Sequence, residues 1–195
     1  ISKAIHYYSS ASDLNHTLAQ FNLGVIYNNG QSIPVDNEKA IHYFSLAAKS
    51  NHPKANFYLG EIYYNGEGVP FDIEKAIYYY SRAADQNNLQ SQFNLGYIYH
   101  EGRYIERDIN KAIHYFTLAA DKNHSEAQFY LGSIYDDGRF IPVNINKAIH
   151  YYSLAANQNH LMAQLNLGVI YLQGQNISPD IDKAIYYLTL AANQN

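Results

Sequence analysis

The chain has no cysteine and no tryptophan, and only one methionine and five prolines in 195 residues. Without cysteine there can be no disulfide framework, no thiolate zinc site and no thiol nucleophile. Charge is scarce as well: Asp, Glu, Lys and Arg make up 15% of the residues, and the formal net charge is −4. The 13 basic residues are scattered, which leaves no stripe for a phosphate backbone and argues against a nucleic-acid partner. No apolar run approaches the roughly 20 residues of a membrane-spanning helix. The opening ISKAIHYY has neither an initiator methionine nor the apolar core of a signal peptide. The segment therefore reads as a piece of a longer chain, with a cytoplasmic location favoured.

What is present is an apolar fraction of 47%, enough for a packed core, and 21 tyrosines. The residues are also periodic. KAI recurs at Lys3, Lys39, Lys75, Lys111, Lys147 and Lys183, each 36 residues after the last. A second block, such as AQFNLGVIYNNG, precedes each of the last five copies. Two blocks per period imply two structural elements per repeat.

Both blocks have helical spacing. In the upstream block Ala19, Leu23, Ile26 and Tyr27 share one face, which defines helix A. In the KAI block Ala40, Ile41, Phe44, Ala47 and Ala48 do the same, which defines helix B. Asp36, Asp72, Asp108, Asn144 and Asp180 stand where helix B needs an N-cap. Gly30, Gly66, Gly102, Gly138 and Gly174 end helix A, while Asn15, Asn51, Asn87, Asn123, Asn159 and Asn195 end helix B as left-handed residues. Mid-helix glycines at Gly24, Gly60, Gly96, Gly132 and Gly168 predict a close helix-to-helix approach. Helices of about 12 residues are marginal alone in water, so each pair must stack on its neighbours. The fold class is all-α: a solenoid of antiparallel helix pairs with about five and a half repeats, a single array over 1–195. A partial repeat at 1–16 is followed by repeats at 17–52, 53–88, 89–124, 125–160 and 161–195.

The unit LGEIYYNGEGVPFDIEKAIYYYSRAA, through Leu59, Gly60, Tyr63, Gly66, Gly68, Val69, Asp72, Lys75 and Ala76, resembles the Sel-one-like repeat, a relative of the tetratricopeptide repeat. The loop departs from that pattern elsewhere: Ser32, Tyr104, Phe140 and Asn176 replace the second glycine. The resemblance implies a right-handed superhelix and a role in protein recognition or scaffolding.

No constellation for catalysis, metal or cofactor binding is evident. Eight of the nine histidines sit at two repeat positions, His6, His42, His114 and His150 in helix B and His16, His52, His124 and His160 just after it. Equivalent residues on successive repeats stand about a helix diameter apart, too far to share one ion, so surface or interhelical polar contacts are expected of them. GxSxG, HExxH and Walker-type GK[ST] motifs are absent. Asn15 and Asn123 begin glycosylation sequons, but their helix-ending position already accounts for them.

Positions that repeat hold the array together, whereas positions that differ between copies are free for another task. On helix A the differing positions form one face. By the resemblance to tetratricopeptide folds this face lines a concave groove. Its candidate protein-binding residues are Asn22 and Val25; Lys54, Tyr58 and Glu61; Asn94, Tyr97 and Glu101; Glu126, Tyr130 and Asp137; and Asn166. Amides, tyrosines and a net acidic balance suit a protein or peptide with polar to basic side chains. The expected function is a non-enzymatic protein-interaction or scaffold module. The alternative is a packing element of a larger complex, contacted through helix B or the ends, where Ile185 and Leu188 are candidates for uncovered apolar surface.

Overall fold

The computed structural model describes residues 2–30, 33–174 and 176–194. Among the described residues are eleven α-helices: α1 Ser2–Asp13, α2 Thr17–Asn29, α3 Asn37–Lys49, α4 Pro53–Asn65, α5 Ile73–Ala84, α6 Leu89–Glu101, α7 Ile109–Ala120, α8 Ser125–Asp137, α9 Ile145–Ala156, α10 Leu161–Gln173 and α11 Ile181–Ala192. Even-numbered helices are helix A and odd-numbered ones helix B, so the all-α, two-helix repeat is as expected. The chain divides into two compact units, Ile1–Leu95 and Gly96–Asn195, with the boundary inside α6.

Each helix boundary has a local cause. Asp36, Asp72, Asp108, Asn144 and Asp180 cap helix B, their side-chain oxygens accepting the N–H of the KAI lysine at 2.9–3.1 Å. Such a cap is worth about 1 kcal/mol. The lysine side chain then turns back. Lys39 Nζ lies 2.9 Å from Asp36 and over the Tyr27 ring at 5.1 Å, and Lys75 and Lys183 repeat both contacts. Tyr27 is in turn stacked on Tyr43 at 5.8 Å and 6°. The repeated lysine is thus spent on its own helix start.

Helix B ends as expected. Asn15, Asn51, Asn87, Asn123 and Asn159 all have φ between 61° and 65°; Asn195 lies outside the described residues, as does Ser32. At Asn51 the left-handed turn lets the Asn51 N–H reach Ala48 O at 2.9 Å and the His52 N–H reach Ala47 O at 3.2 Å.

The histidine after that asparagine makes interhelical contacts, as His160 does with Glu126 at 3.3 Å, and has a further role that the sequence did not indicate. His16, His52, His124 and His160 are the N-caps of helix A, their Nδ1 atoms accepting the N–H of Ala19, Ala55, Ala127 and Ala163 at 3.2–3.4 Å. Asn88 does the same for Ser91 at 2.9 Å. An Asn-His pair therefore ends one helix and starts the next.

Within each unit helix A packs on helix B of the same repeat, and helix B on helix A of the next. Leu23, Leu59, Phe44 and Tyr80 are fully buried in the first unit, and Leu131, Leu167, Phe116 and Tyr152 in the second. Burying each such side chain contributes about 2–3 kcal/mol. The mid-helix glycines make room for these rings: a Cβ at Gly60 would lie 2.5 Å from the Tyr80 ring, and one at Gly132 2.5 Å from that of Tyr152.

Buried amides bond one repeat to the next. Gln128 Nε2 donates to Ala120 O at 3.1 Å, and its Oε1 accepts from Gln158 Nε2 at 2.7 Å. Gln164 and Gln194 repeat the arrangement one repeat later. These bonds satisfy side chains that would otherwise be costly to bury.

Candidate protein-binding surface

The face of helix A that differs between copies is populated in two ways. Some of its side chains are fastened to helix B, and others are exposed. Helix B decides which, because its central residue alternates between Tyr and Phe from Tyr8 to Tyr152, with Leu188 in the last repeat.

Where helix B brings a phenylalanine, helix A of the next repeat brings a tyrosine that stacks on it. Tyr58 lies on Phe44 at 5.0 Å and 5°, and Tyr130 on Phe116 at 5.1 Å and 8°. Where helix B brings a tyrosine, the buried hydroxyl needs partners, and the next helix A brings an asparagine. Tyr80 donates to Glu61, whose Oε1 also accepts from Asn94 Nδ2 at 2.8 Å. Burial, and then the Glu61 carboxylate, push the Tyr80 phenol far above its ordinary range. Tyr152 is hydrogen-bonded by Asn166 and Ser133, and burial followed by the charge of Asp136 pushes its phenol up to about 12.

In the first unit, Tyr58, Glu61 and Asn94 are accordingly half-buried and tied to the core, and Val25 and Asn22 are half-buried beside them. Lys54 is exposed. With Lys54 set against Glu61, the face in this unit is electrically neutral.

In the second unit, Tyr97 meets Tyr130 edge to face at 5.8 Å. Glu101, Glu126 and Asp137 are exposed, and Asn166 is half-buried. Every charged candidate in this unit is acidic. Each has one ion-pair partner: Glu101 lies 3.2 Å from His100 Nδ1, Glu126 3.3 Å from Nε2 of the largely buried His160 that caps α10, and Asp137 2.6 Å from Arg139. The exposed ones among these pairs contribute at most about 1 kcal/mol and are easily exchanged for other partners.

The sequence-derived candidates therefore separate into a structural set, Tyr58, Tyr130, Glu61, Asn94 and Asn166, and an accessible acidic set in the second unit. Ser133, on the differing face of helix A, helps to satisfy Tyr152, and the residue missed at the sequence level is Asp136, half-buried beside Asp137. Burial and then Asp137 raise the Asp136 carboxyl above its ordinary range. Among the described residues no group of three or more His, Asp or Glu side chains could hold a metal ion, and no helix is long and apolar enough to cross a membrane.

The family model for the Sel1 repeat matches residues 1–16, 17–52, 53–88, 89–124, 125–160 and 161–195. Among solved structures the chain is similar to c5321, a protective antigen of uropathogenic Escherichia coli strains displaying an SLR fold. The identity is 29% and the TM-score 0.91, covering 97% of this chain and 41% of that one. The chain thus spans about two-fifths of that protein's length. It is also similar to a Sel1 repeat protein from Oxalobacter formigenes, at 33% identity and TM-score 0.77 over 99% of this chain and 79% of that one. Helicobacter pylori cysteine rich protein B is 29% identical over 65% of this chain and 90% of its own, with TM-score 0.50. No curated protein sequence matches the chain.

Proposed function

The chain belongs to the Sel1 repeat family, whose repeats are non-catalytic scaffolds that bind proteins, and from that premise we propose that the helix A face of its second unit receives an extended segment of a partner protein rich in polar and basic side chains. The observation that carries this reading is the concentration of Glu101, Glu126 and Asp137 on α6 and α8, each exposed. Tyr97 offers a polarizable ring edge beside them, and the exposed amide of Gln173 can bond a peptide backbone.

A direct test is to select binders from a random displayed peptide library and map one of them by NMR shift perturbation. The expected outcome is a basic consensus and shifts on α6, α8 and α10. A binder without basic residues, or shifts confined to helix B, removes the assignment.

A second reading, a packing element of a larger assembly, has its candidate surface on helix B, where Tyr78 of α5 and Tyr186 of α11 are 54% and 57% exposed. Leu188 is half-buried, with its side chain against Gly168. A partner that protects α5 and α11 from hydrogen exchange while leaving α6 and α8 unprotected would select this reading.

A further inference from the structure

The second unit contains a cavity whose lining differs from the equivalent positions of the preceding repeat. Around Phe116 in α7 stand two rings from helix A, His100 at 6.2 Å and Tyr130 at 5.1 Å. The residues 36 positions later are Tyr152 in α9, Asp136 and Asn166. Both flanking rings are replaced at once by short polar side chains. Asp136 and Asn166 line a cavity of about 300 Å³, with Asp137, Gln173 and Asn176 completing its polar side and Val143, Ile145, Val169 and Ile170 its apolar side.

Stability alone does not favour this exchange. It removes two aromatic packing partners and places a carboxylate where it is half-buried. The neighbouring Asp137 is held by Arg139 at 2.6 Å. Among the described residues no Lys, Arg or His lies within ion-pairing distance of Asp136. Asn166 is compensated inside the fold by its hydrogen bond to Tyr152, whereas the half-buried Asp136 carboxylate is not, and a local rule broken without such a gain is what a ligand site produces. The compensating group must be cationic, and it must bring an apolar stem to lie against the valines and isoleucines. Lysine and arginine have that build, a methylene stem carrying a charged head.

We propose that this cavity is a pocket for one basic side chain, lysine or arginine, projecting from a bound partner polypeptide, with Asp136 as the counter-charge and Asn166 and Gln173 at its polar rim. The proposal rests on the reading of the helix A face as the partner-binding surface and deepens it by assigning one anchor position.

The test uses N-acetyl-arginine methylamide and N-acetyl-lysine methylamide, with the neutral N-acetyl-citrulline methylamide as control, followed by the NMR signals of the Asn166 side-chain amide and the Val169 backbone amide. At least one cationic probe should give saturable shifts at both signals, about fivefold or more tighter than citrulline. Asp136→Asn, which is nearly isosteric and keeps the fold, should weaken it by a similar factor. Asn166→Tyr with Tyr152→Phe, which restores the Phe116–Tyr130 arrangement, should abolish it. Equal shifts from citrulline, shifts only at Glu101 or Glu126, or undiminished binding by Asp136→Asn would each overturn the pocket. Failure of the pocket and failure of the wider surface are separable. If a selected peptide still binds α6 and α8 while both probes fail, the pocket alone falls. If the probes bind and Glu101→Gln with Glu126→Gln leaves peptide binding intact, the wider surface falls.

Discussion

Asn56 occupies the position held by Gln20, Gln92, Gln128 and Gln164 in the other repeats. One methylene shorter, it donates to His52 O at 3.2 Å and leaves its own oxygen buried without a partner. Gln86, which stands where Gln158 meets Gln128, instead donates to Arg82 O at 2.9 Å. Asn56→Gln should let the longer side chain reach the Ala48 carbonyl and accept from Gln86. It is predicted to stabilise the protein by about 1 kcal/mol, read as a higher denaturant midpoint at unchanged slope; a lower midpoint would show that the site cannot hold the extra methylene. The Gln recurs visibly in the sequence, but its bond is not legible there because its partner lies 30 residues away. The aspartate caps are legible because Asp three residues before a helical lysine satisfies an orphan N–H by itself.

At the scale of the element, the starts of helix A carry a pH dependence. A histidine caps through Nδ1 only when that nitrogen is unprotonated. For His52, burial and then Lys54 lower the affinity for a proton; for His124, burial lowers it against a smaller opposing effect of Glu126. The folded state thus binds fewer protons than the unfolded one. The stabilisation is fully present above the ordinary histidine value of about 6.5 and is lost as pH falls below it. Thermal melts should therefore show falling stability from about pH 6.5 down to pH 5, before the carboxylates titrate. Replacing His52 and His124 by Asn, which already serves at position 88, should flatten that slope; an unchanged slope would remove these caps as its cause. The glycines make a second prediction. Gly132→Ala gains about 1 kcal/mol of helix propensity but drives a Cβ to 2.5 Å from the buried Tyr152 ring, so a net loss of about 1–2 kcal/mol is expected in chemical denaturation. Helix bounds and stops are legible at this scale from Gly, Asn and Asp. The histidine caps are not, since histidine is not among the usual capping residues and its repetition suggests a polar surface instead.

For the whole molecule, the 36-residue period makes the helix order readable from the amino-acid sequence alone, because each repeat satisfies its own ends and buries its own leucine and alanine face. The binding surface is only half readable. A difference between repeats suggests freedom for a partner, yet Tyr58, Tyr130, Asn94 and Asn166 differ because they follow the Phe or Tyr of helix B, a coupling that depends on which side chains touch. Removing that structural set leaves Glu101, Glu126 and Asp137 in the second unit as the accessible charge. The most direct measurement is the affinity of a library-selected basic peptide for the chain and for Glu101→Gln/Glu126→Gln/Asp137→Asn, at about 50 and 300 mM salt. The account predicts a loss of about tenfold or more in the variant at low salt, a steep salt dependence in the parent and a shallow one in the variant. Equal affinity of parent and variant at both salt concentrations, with helicity unchanged, would contradict it.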